Sequence, residues 1–239
     1  MEAIVLAGGM GTRLRSAIPD LPKPMAPIEG KPFLGYLLNY WVGQGIKRFI
    51  LSVGYKHEVI QRQFGFRYKD TEIHYAVETE PLGTGGGLLL AMEQLRTKES
   101  FLILNGDTFF AVNRPDLLNH HYKYGADITL SLAEVAKNNR YSGVLLGEDG
   151  WIHSMETRAE VSETCEINGG VYLVDHDFLR SSTKNAHEKC SLEDDLLPEF
   201  LNKKKRVAGF LSGGAFIDIG IPQDYERAIE ILLPYGSDV

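Results

Sequence analysis

The chain has 239 residues, 44% hydrophobic and 24% charged, with 25 basic and 32 acidic residues and a formal charge of −7. That length suits one large α/β domain with a substantial core. The negative balance argues against a nucleic-acid or anionic-membrane surface, and no apolar run approaches the ~20 residues of a membrane span.

In chain order, Glu2–Leu6 predicts an apolar strand that runs straight into Ala7-Gly8-Gly9-Met10-Gly11-Thr12-Arg13. Three glycines let the backbone come close to a polyphosphate, with N–H groups lining it. Arg13 adds a planar fork matched to phosphate oxygens. Pro22-Lys23-Pro24 adds a second cation on a stiffened loop. The spacing is neither that of a P-loop nor that of a dinucleotide fingerprint. A plain tight β–α turn is the alternative reading.

A helix is expected near Pro32–Gln44, where Phe33, Leu34, Leu37, Leu38 and Trp41 recur at helical spacing. Strands at Arg48–Val53 and Ile73–Val77 flank a helix at Lys56–Phe64. A buried helix is expected over Gly85–Leu95, then a short strand, Phe101–Leu104, ending in Asn105-Gly106-Asp107. Asp116–Tyr124 reads as a helix whose His120-His121 pair lies at the surface. Asp127–Val135 reads as a strand, Gly143–Glu156 as a hairpin turning at Glu148-Asp149-Gly150, and Ile167–Val174 as a strand. Ser191 opens a helix with a capping pattern through Asp194. Strands at Arg206–Leu211 and Ala215–Ile219 precede a last helix from Pro222 to about Leu233.

The alternation predicts one Rossmann-like, doubly wound α/β domain over residues 1–239, with a mainly parallel sheet that becomes mixed in the second half. Ligands of such sheets bind beyond the carboxyl ends of the strands. The glycine-rich turn, the turn after Val77, and Asp107 all fall at such ends. Asp218, in Phe216-Ile217-Asp218-Ile219-Gly220, repeats the arrangement at Asp107: a carboxylate between apolar strand and glycine. An acidic side chain in an apolar run needs a partner, and Mg²⁺ takes one or two carboxylates plus substrate phosphates. Cys165 and Cys190 form no zinc spacing. With two free thiols and no basic leader, a cytoplasmic protein is expected. The seven histidines contain no ligand pair.

The opening loop, Pro-Lys-Pro-Met, and both aspartate motifs together resemble the signature of the sugar-1-phosphate nucleotidyltransferases, over about Met1 to Ile231. The resemblance implies the nucleotide-diphospho-sugar transferase type of fold, with a nucleotide half of about residues 1–110 and a sugar half of about 111–239. It implies nucleotide contacts from Leu6, Ala7, Gly8, Gly9, Gly11 and Thr12, phosphate neutralisation by Arg13, and Lys23 at the reacting phosphate. It makes Asp107 and Asp218 the Mg²⁺ ligands, although Ile221 stands where the family usually has Thr. The stretch Glu78-Thr79-Glu80-Pro81-Leu82-Gly83-Thr84 resembles the guanylyltransferase branch, in which it closes over the base through Glu78, Pro81, Gly83 and Thr84. As an ionised acceptor, Glu78 can meet the N1–H and amino group of guanine together, whereas uracil and thymine offer one ring N–H. Cytosine stays open, because its amino group is also a donor.

On the sugar side the resemblance implies Gly106, Glu156, Asn168, Gly169 and Glu193. Arg158 is the candidate for the phosphate cation that the family carries next to Glu156. For Asn168-Gly169 a strand bulge is the alternative, and for Glu193 a first-turn helix carboxylate. Within the family the chain looks most like the D-glycero-α-D-manno-heptose 1-phosphate guanylyltransferases, with the mannose-1-phosphate enzymes as runner-up. The expected partners are therefore GTP and a sugar 1-phosphate. Neither nucleic acid nor membrane is expected, and a homo-oligomer is left open. A silent nucleotide-sugar-binding regulator would not need to retain Arg13, Lys23, Asp107 and Asp218.

Overall fold

The computed structural model describes residues 1–9, 11, 20–136, 141–155, 163–183 and 188–236. Its centre is a parallel block: β1 (Glu2–Leu6) lies between β4 (Arg48–Val53) and β7 (Phe101–Asn105), and β6 (Thr71–Val77) pairs with the far side of β4. Along these strands alternate residues enter opposite cores. Ala3, Val5, Phe49, Leu51, Leu102 and Leu104 face one, and Ile4, Ile50, Phe101 and Ile103 the other. A sheet covered on both faces needs such unbroken apolar runs.

The helices divide accordingly. The first core takes α1 (Phe33–Gly43), α2 (His57–Phe64), α4 (Arg114–Tyr124) and α7 (Pro222–Leu232). The second takes α3 (Gly83–Met92), α5 (His176–Ser182) and α6 (Leu197–Asn202). The sheet turns mixed where expected. Strand β12 (Thr164–Val174) runs antiparallel between β7 and β9 (Ile128–Ala136), and β13 (Val207–Leu211) lies parallel at the edge beyond β9. Two strands, β10 (Leu145–Leu146) and β11 (Ile152–Ser154), form the expected hairpin. Among the described residues no helix is long and apolar enough to cross a membrane.

The sequence reading missed α5, the short strand β5 (Arg67–Tyr68), the ladder of β2 (Pro27–Ile28) with β3 (Lys31–Pro32), and a three-residue strand, β8 (Thr108–Phe110). Segments this short carry too few residues for a periodicity. Ser191 caps its helix as expected, accepting from the Asp194 N–H at 3.0 Å. The return bond comes from Asp195 instead, which accepts from the Ser191 N–H at 2.7 Å, because the first turn, Leu192–Leu196, is a wider π turn.

One expectation is corrected. His121 is not on the surface: it is 2% exposed. Its Nδ1 lies 2.8 Å from Thr129 Oγ1 and its Nε2 3.5 Å from Ser100 Oγ. Helical spacing puts it on the buried side of α4, where two hydroxyls satisfy the ring. Burial lowers its pKa to about 4, against the opposing pull of Asp175 and Asp127. An imidazole kept neutral in the fold contributes stability that is full above about pH 6.5 and is lost as pH falls toward 4. The thermal midpoint should therefore drop across that window, and drop less in His121→Gln. Equal losses in calorimetry at pH 7 and pH 4.5 would remove His121 from the acid response.

Candidate active site

The chain leaves β1 toward β4 and β6, then returns to add β7 on the other side. The carboxyl end of β1 is thus the switch point of the sheet, where ligands of open α/β sheets bind. Leu6 sits there opposite both Ser52 and Asn105. Ala7 N donates to Ser52 O at 2.8 Å, and Gly106 N to Leu6 O at 2.9 Å, so the glycine loop leaves the sheet between β4 and β7. A Cβ at Gly106 would meet Leu6 O at 2.7 Å. Its glycine thus serves this close approach.

A cleft of about 1210 Å³ opens above this edge. Of the expected nucleotide residues it is lined by Leu6, Ala7, Gly8, Gly9 and Gly11, and by Glu78, Pro81, Gly83 and Thr84. Lys23, Asp107, Asp218, Asn168 and Glu193 line it too. Thr12, Arg13, Glu156 and Arg158 lie outside the described residues.

Lys23 stands on one 3₁₀ turn, Lys23–Met25, whose start is set by Pro22 and Pro24. Its Nζ donates to Asp107 Oδ2 at 2.6 Å and to Asp218 Oδ1 at 3.4 Å. A small antiparallel ladder makes this meeting. Strand β14 (Phe216–Asp218) pairs with β8 so that Asp218 faces Thr108, the neighbour of Asp107. Asp218 Oδ1 also accepts from Gly220 N at 2.6 Å, which fixes the turn after it. The two carboxylates expected from sequence are therefore side by side, around one ammonium.

Glu78 follows β6 and turns its carboxylate inward. Oε2 accepts from Leu82 N at 3.0 Å, and Oε1 from Ser52 Oγ at 3.2 Å. A Cβ at Gly87 would meet Oε1 at 2.7 Å. The carboxylate is thus held rigid, with one acceptor site left on each oxygen.

The glycine run at the start of α3 has a structural cause. The strap 188–190 crosses the first turn, and Cys190 O accepts from Gly85 N at 2.9 Å and Gly86 N at 3.2 Å. A Cβ at Gly86 would stand 2.6 Å from Glu188 O. Two N–H groups of the first turn are thus capped by protein. Thr84 likewise bonds within the chain, to Glu193 Oε2 at 2.7 Å. Asn168 accepts from Gly170 N at 3.1 Å and donates to Tyr172 OH at 2.8 Å, at the register shift in β12. The Phe110 ring fills the space beside Gly169.

Sequence reasoning missed Ser52, Asn105 and Tyr172. Each is a polar group in a buried strand, and that alone signals a required partner. Lys189, Tyr141 and Phe216 also line the cleft, from loops and a strand end that carry no local signal.

Residues 2–233 match the Nucleotidyl transferase family. The chain belongs to that family. It is 45% identical over 236 residues to the D-glycero-alpha-D-manno-heptose 1-phosphate guanylyltransferase of Aneurinibacillus thermoaerophilus, covering 98% of this chain and 100% of that protein. The protein of the same name from Campylobacter jejuni subsp. jejuni serotype O:2 is 40% identical, over 94% of this chain and 97% of its own. The structure of HddC from Yersinia pseudotuberculosis complexed with GMP-PN superposes with a TM-score of 0.83, at 33% identity, over 96% of this chain and 98% of that one. In this nucleotidyl transferase, as the sequence led one to expect, the sheet is of the nucleotide-diphospho-sugar transferase type.

The strap gives a stability prediction. Gly86→Ala should lose about 1–3 kcal/mol, the usual cost of overpacking, because backbone carbonyls cannot move aside as a side chain can. Gly43→Ala, with nothing within 4 Å of the new methyl, should gain about 0.4–1 kcal/mol. Urea melts of the two variants measure this, and a neutral Gly86→Ala would mean that the strap yields.

Proposed function

We propose that this protein transfers a guanylyl group from GTP to D-glycero-α-D-manno-heptose 1-phosphate, giving GDP-heptose and pyrophosphate. The observation that carries the reading is the Lys23–Asp107–Asp218 cluster at the switch point, beneath the glycine loop. The near full-length identity to heptose 1-phosphate guanylyltransferases supports the choice of substrates. This reading puts the enzyme in the cytoplasm, with the GTP pool.

The nucleophile is a phosphate monoester whose second pKa is near 6, so it is mostly dianionic at pH 7 and needs no general base. The task is to bring two anions together and to stabilise charge on the α-phosphate and the leaving pyrophosphate. The described cleft lining carries five carboxylates (Glu78, Asp107, Glu193, Asp194, Asp218) and two lysines, Lys23 and Lys189. A triphosphate entering that field requires added positive charge. Asp107 and Asp218 supply adjacent hard oxygens, and a donor set of two carboxylates suits Mg²⁺, which fills its other positions with water and phosphate. Bound there, Mg²⁺ would neutralise phosphate charge and polarise the reacting phosphoryl group. Lys23, already held at both carboxylates, would act on the phosphates at the reacting centre. Arg13 is assigned the triphosphate tail. Glu78, pre-set by Leu82 N and Ser52 Oγ, offers its two remaining acceptor sites to N1–H and the amino group of guanine.

A matrix of four nucleoside triphosphates against heptose, mannose and glucose 1-phosphates, read by pyrophosphate release, tests the reading. GTP with the heptose 1-phosphate should give the highest kcat/KM, and a preference for UTP or dTTP would refute the guanylyl assignment. Glu78→Gln should narrow the gap between GTP and UTP by tens of fold, since hydrogen bonds to a charged group are worth about 1.5–3 kcal/mol each.

Lys23→Met should cut kcat about 10²–10³-fold, as loss of one electrostatic stabiliser does, with a smaller change in GTP binding. Asp107→Asn and Asp218→Asn should each do the same at saturating Mg²⁺. Near-normal turnover in either would free that aspartate from the metal role.

A further inference from the structure

Glu193 is held on both carboxylate oxygens by the chain itself. Its Oε1 accepts from Tyr172 OH at 3.1 Å and Asn105 Nδ2 at 3.4 Å. Its Oε2 accepts from Thr84 Oγ1 at 2.7 Å; Ser191 Oγ lies 3.4 Å away, but its single proton has the nearer Asp194 Oδ2 at 3.1 Å. Of the about four lone-pair sites of an ionised carboxylate, the chain itself fills three. The donors are not fickle ones. Tyr172 is fully buried, and burial first, then the Glu193 charge, raises its pKa well above 10.0, so the phenol stays a donor.

Thr84 is held in the same way. Its hydroxyl donates to Glu193 and accepts from Leu192 N at 2.8 Å. Cys190 adds three backbone bonds to the same helix start: its N–H to Leu82 O at 2.9 Å, and its carbonyl to Gly85 N and Gly86 N. The stretch 190–193 is thereby stitched to the first turn of α3, the turn that presents Glu78's partner Leu82. Through Tyr172 and Asn105 it is stitched equally to β12 and β7.

We propose that Glu193 and Thr84 are positioning residues: a clamp that sets the separation of the base-side turn from the sugar-side strand, and so of the two substrates, without contacting either. This rests on the guanylyltransferase reading for the identity of those substrates. Reaction between two bound partners is sensitive to their separation, and a displacement on the order of 1 Å is enough to lower the rate steeply. Loss of the clamp should thus appear in kcat rather than in the binding of either substrate alone.

Thr84→Val removes both hydroxyl bonds at nearly constant volume. It should lower kcat by about tenfold or more while the calorimetric Kd for a non-hydrolysable GTP analogue, and that for heptose 1-phosphate, each change less than about threefold. Thr84→Ser should restore kcat. Glu193→Gln, with a donor in place of one acceptor, should behave like Thr84→Val, and the double variant should be no worse than either single one. If Thr84→Val does not fold, Glu193→Gln carries the same expectation.

A wild-type kcat in the folded single variants overturns the clamp. So does a Glu193→Gln variant whose sugar-phosphate Kd rises more than tenfold while that of Thr84→Val stays put, which would assign Glu193 to the sugar itself. Amide exchange at Leu192 supplies a readout free of substrates: it should quicken by at least tenfold in Thr84→Val, and an unchanged rate overturns the clamp whatever the enzyme acts on. Wild-type protein that releases no pyrophosphate from GTP and the heptose 1-phosphate would defeat the guanylyltransferase reading alone.

Discussion

The arrangement of the cleft floor depends on one ammonium group held between two carboxylates. Lys23, Asp107 and Asp218 come from three distant segments, and the Lys23 side chain is only 13% exposed. A charge so far out of water costs several kcal/mol unless it is paired. Two carboxylates brought this close would repel each other without a cation. The lysine and the aspartates therefore require one another, and every element that carries them is constrained. The 3₁₀ turn that begins after Pro22 and contains Pro24 sets Lys23, the end of β7 sets Asp107, and the β8–β14 ladder sets Asp218.

The same electrostatic logic shapes the rest of the cleft. Carboxylates outnumber lysines in the described lining, yet most of the carboxylates have structural partners. Glu78 is held by a backbone N–H and a serine, and Glu193 by Tyr172, Asn105 and Thr84. Such groups are rigid before any ligand arrives, so little ordering cost remains to be met on binding. Acidic groups with fixed geometry around a held ammonium suit chemistry on polyanions, where the charges must be in place before the phosphates meet.

The glycine-rich stretch at α3 has a structural cause that its own residues do not show. Its glycines invite a phosphate-binding interpretation, because a helix start with no side chains exposes N–H donors. Two of those donors, Gly85 N and Gly86 N, are spent on Cys190 O, and the missing Cβ atoms make room for a backbone strap. Gly8, Gly9 and Gly11 of the opening loop line the open cleft, as Gly83 does, whereas Gly85, Gly86 and Gly87 do not. Nothing within either stretch separates the two cases, since the strap lies about a hundred residues further along the chain.

Much of this protein was legible in its sequence. Strands β1, β4 and β7 and helices α1, α2 and α7 were set within a residue or two by apolar periodicity and by glycine and proline stops, signals that act within a few residues. The opening loop, the paired aspartates and the base-side turn could be singled out because each breaks the local pattern at a strand end. What only the tertiary structure decided is which of these meet. Lys23 finds Asp107 and Asp218 across 84 and 195 residues, and Thr84 finds Glu193 across 109. The burial of His121 behind Thr129 was equally hidden. Such contacts follow from strand order and register, which depend on how the two apolar faces of the whole sheet are covered, and no window of sequence contains that sum.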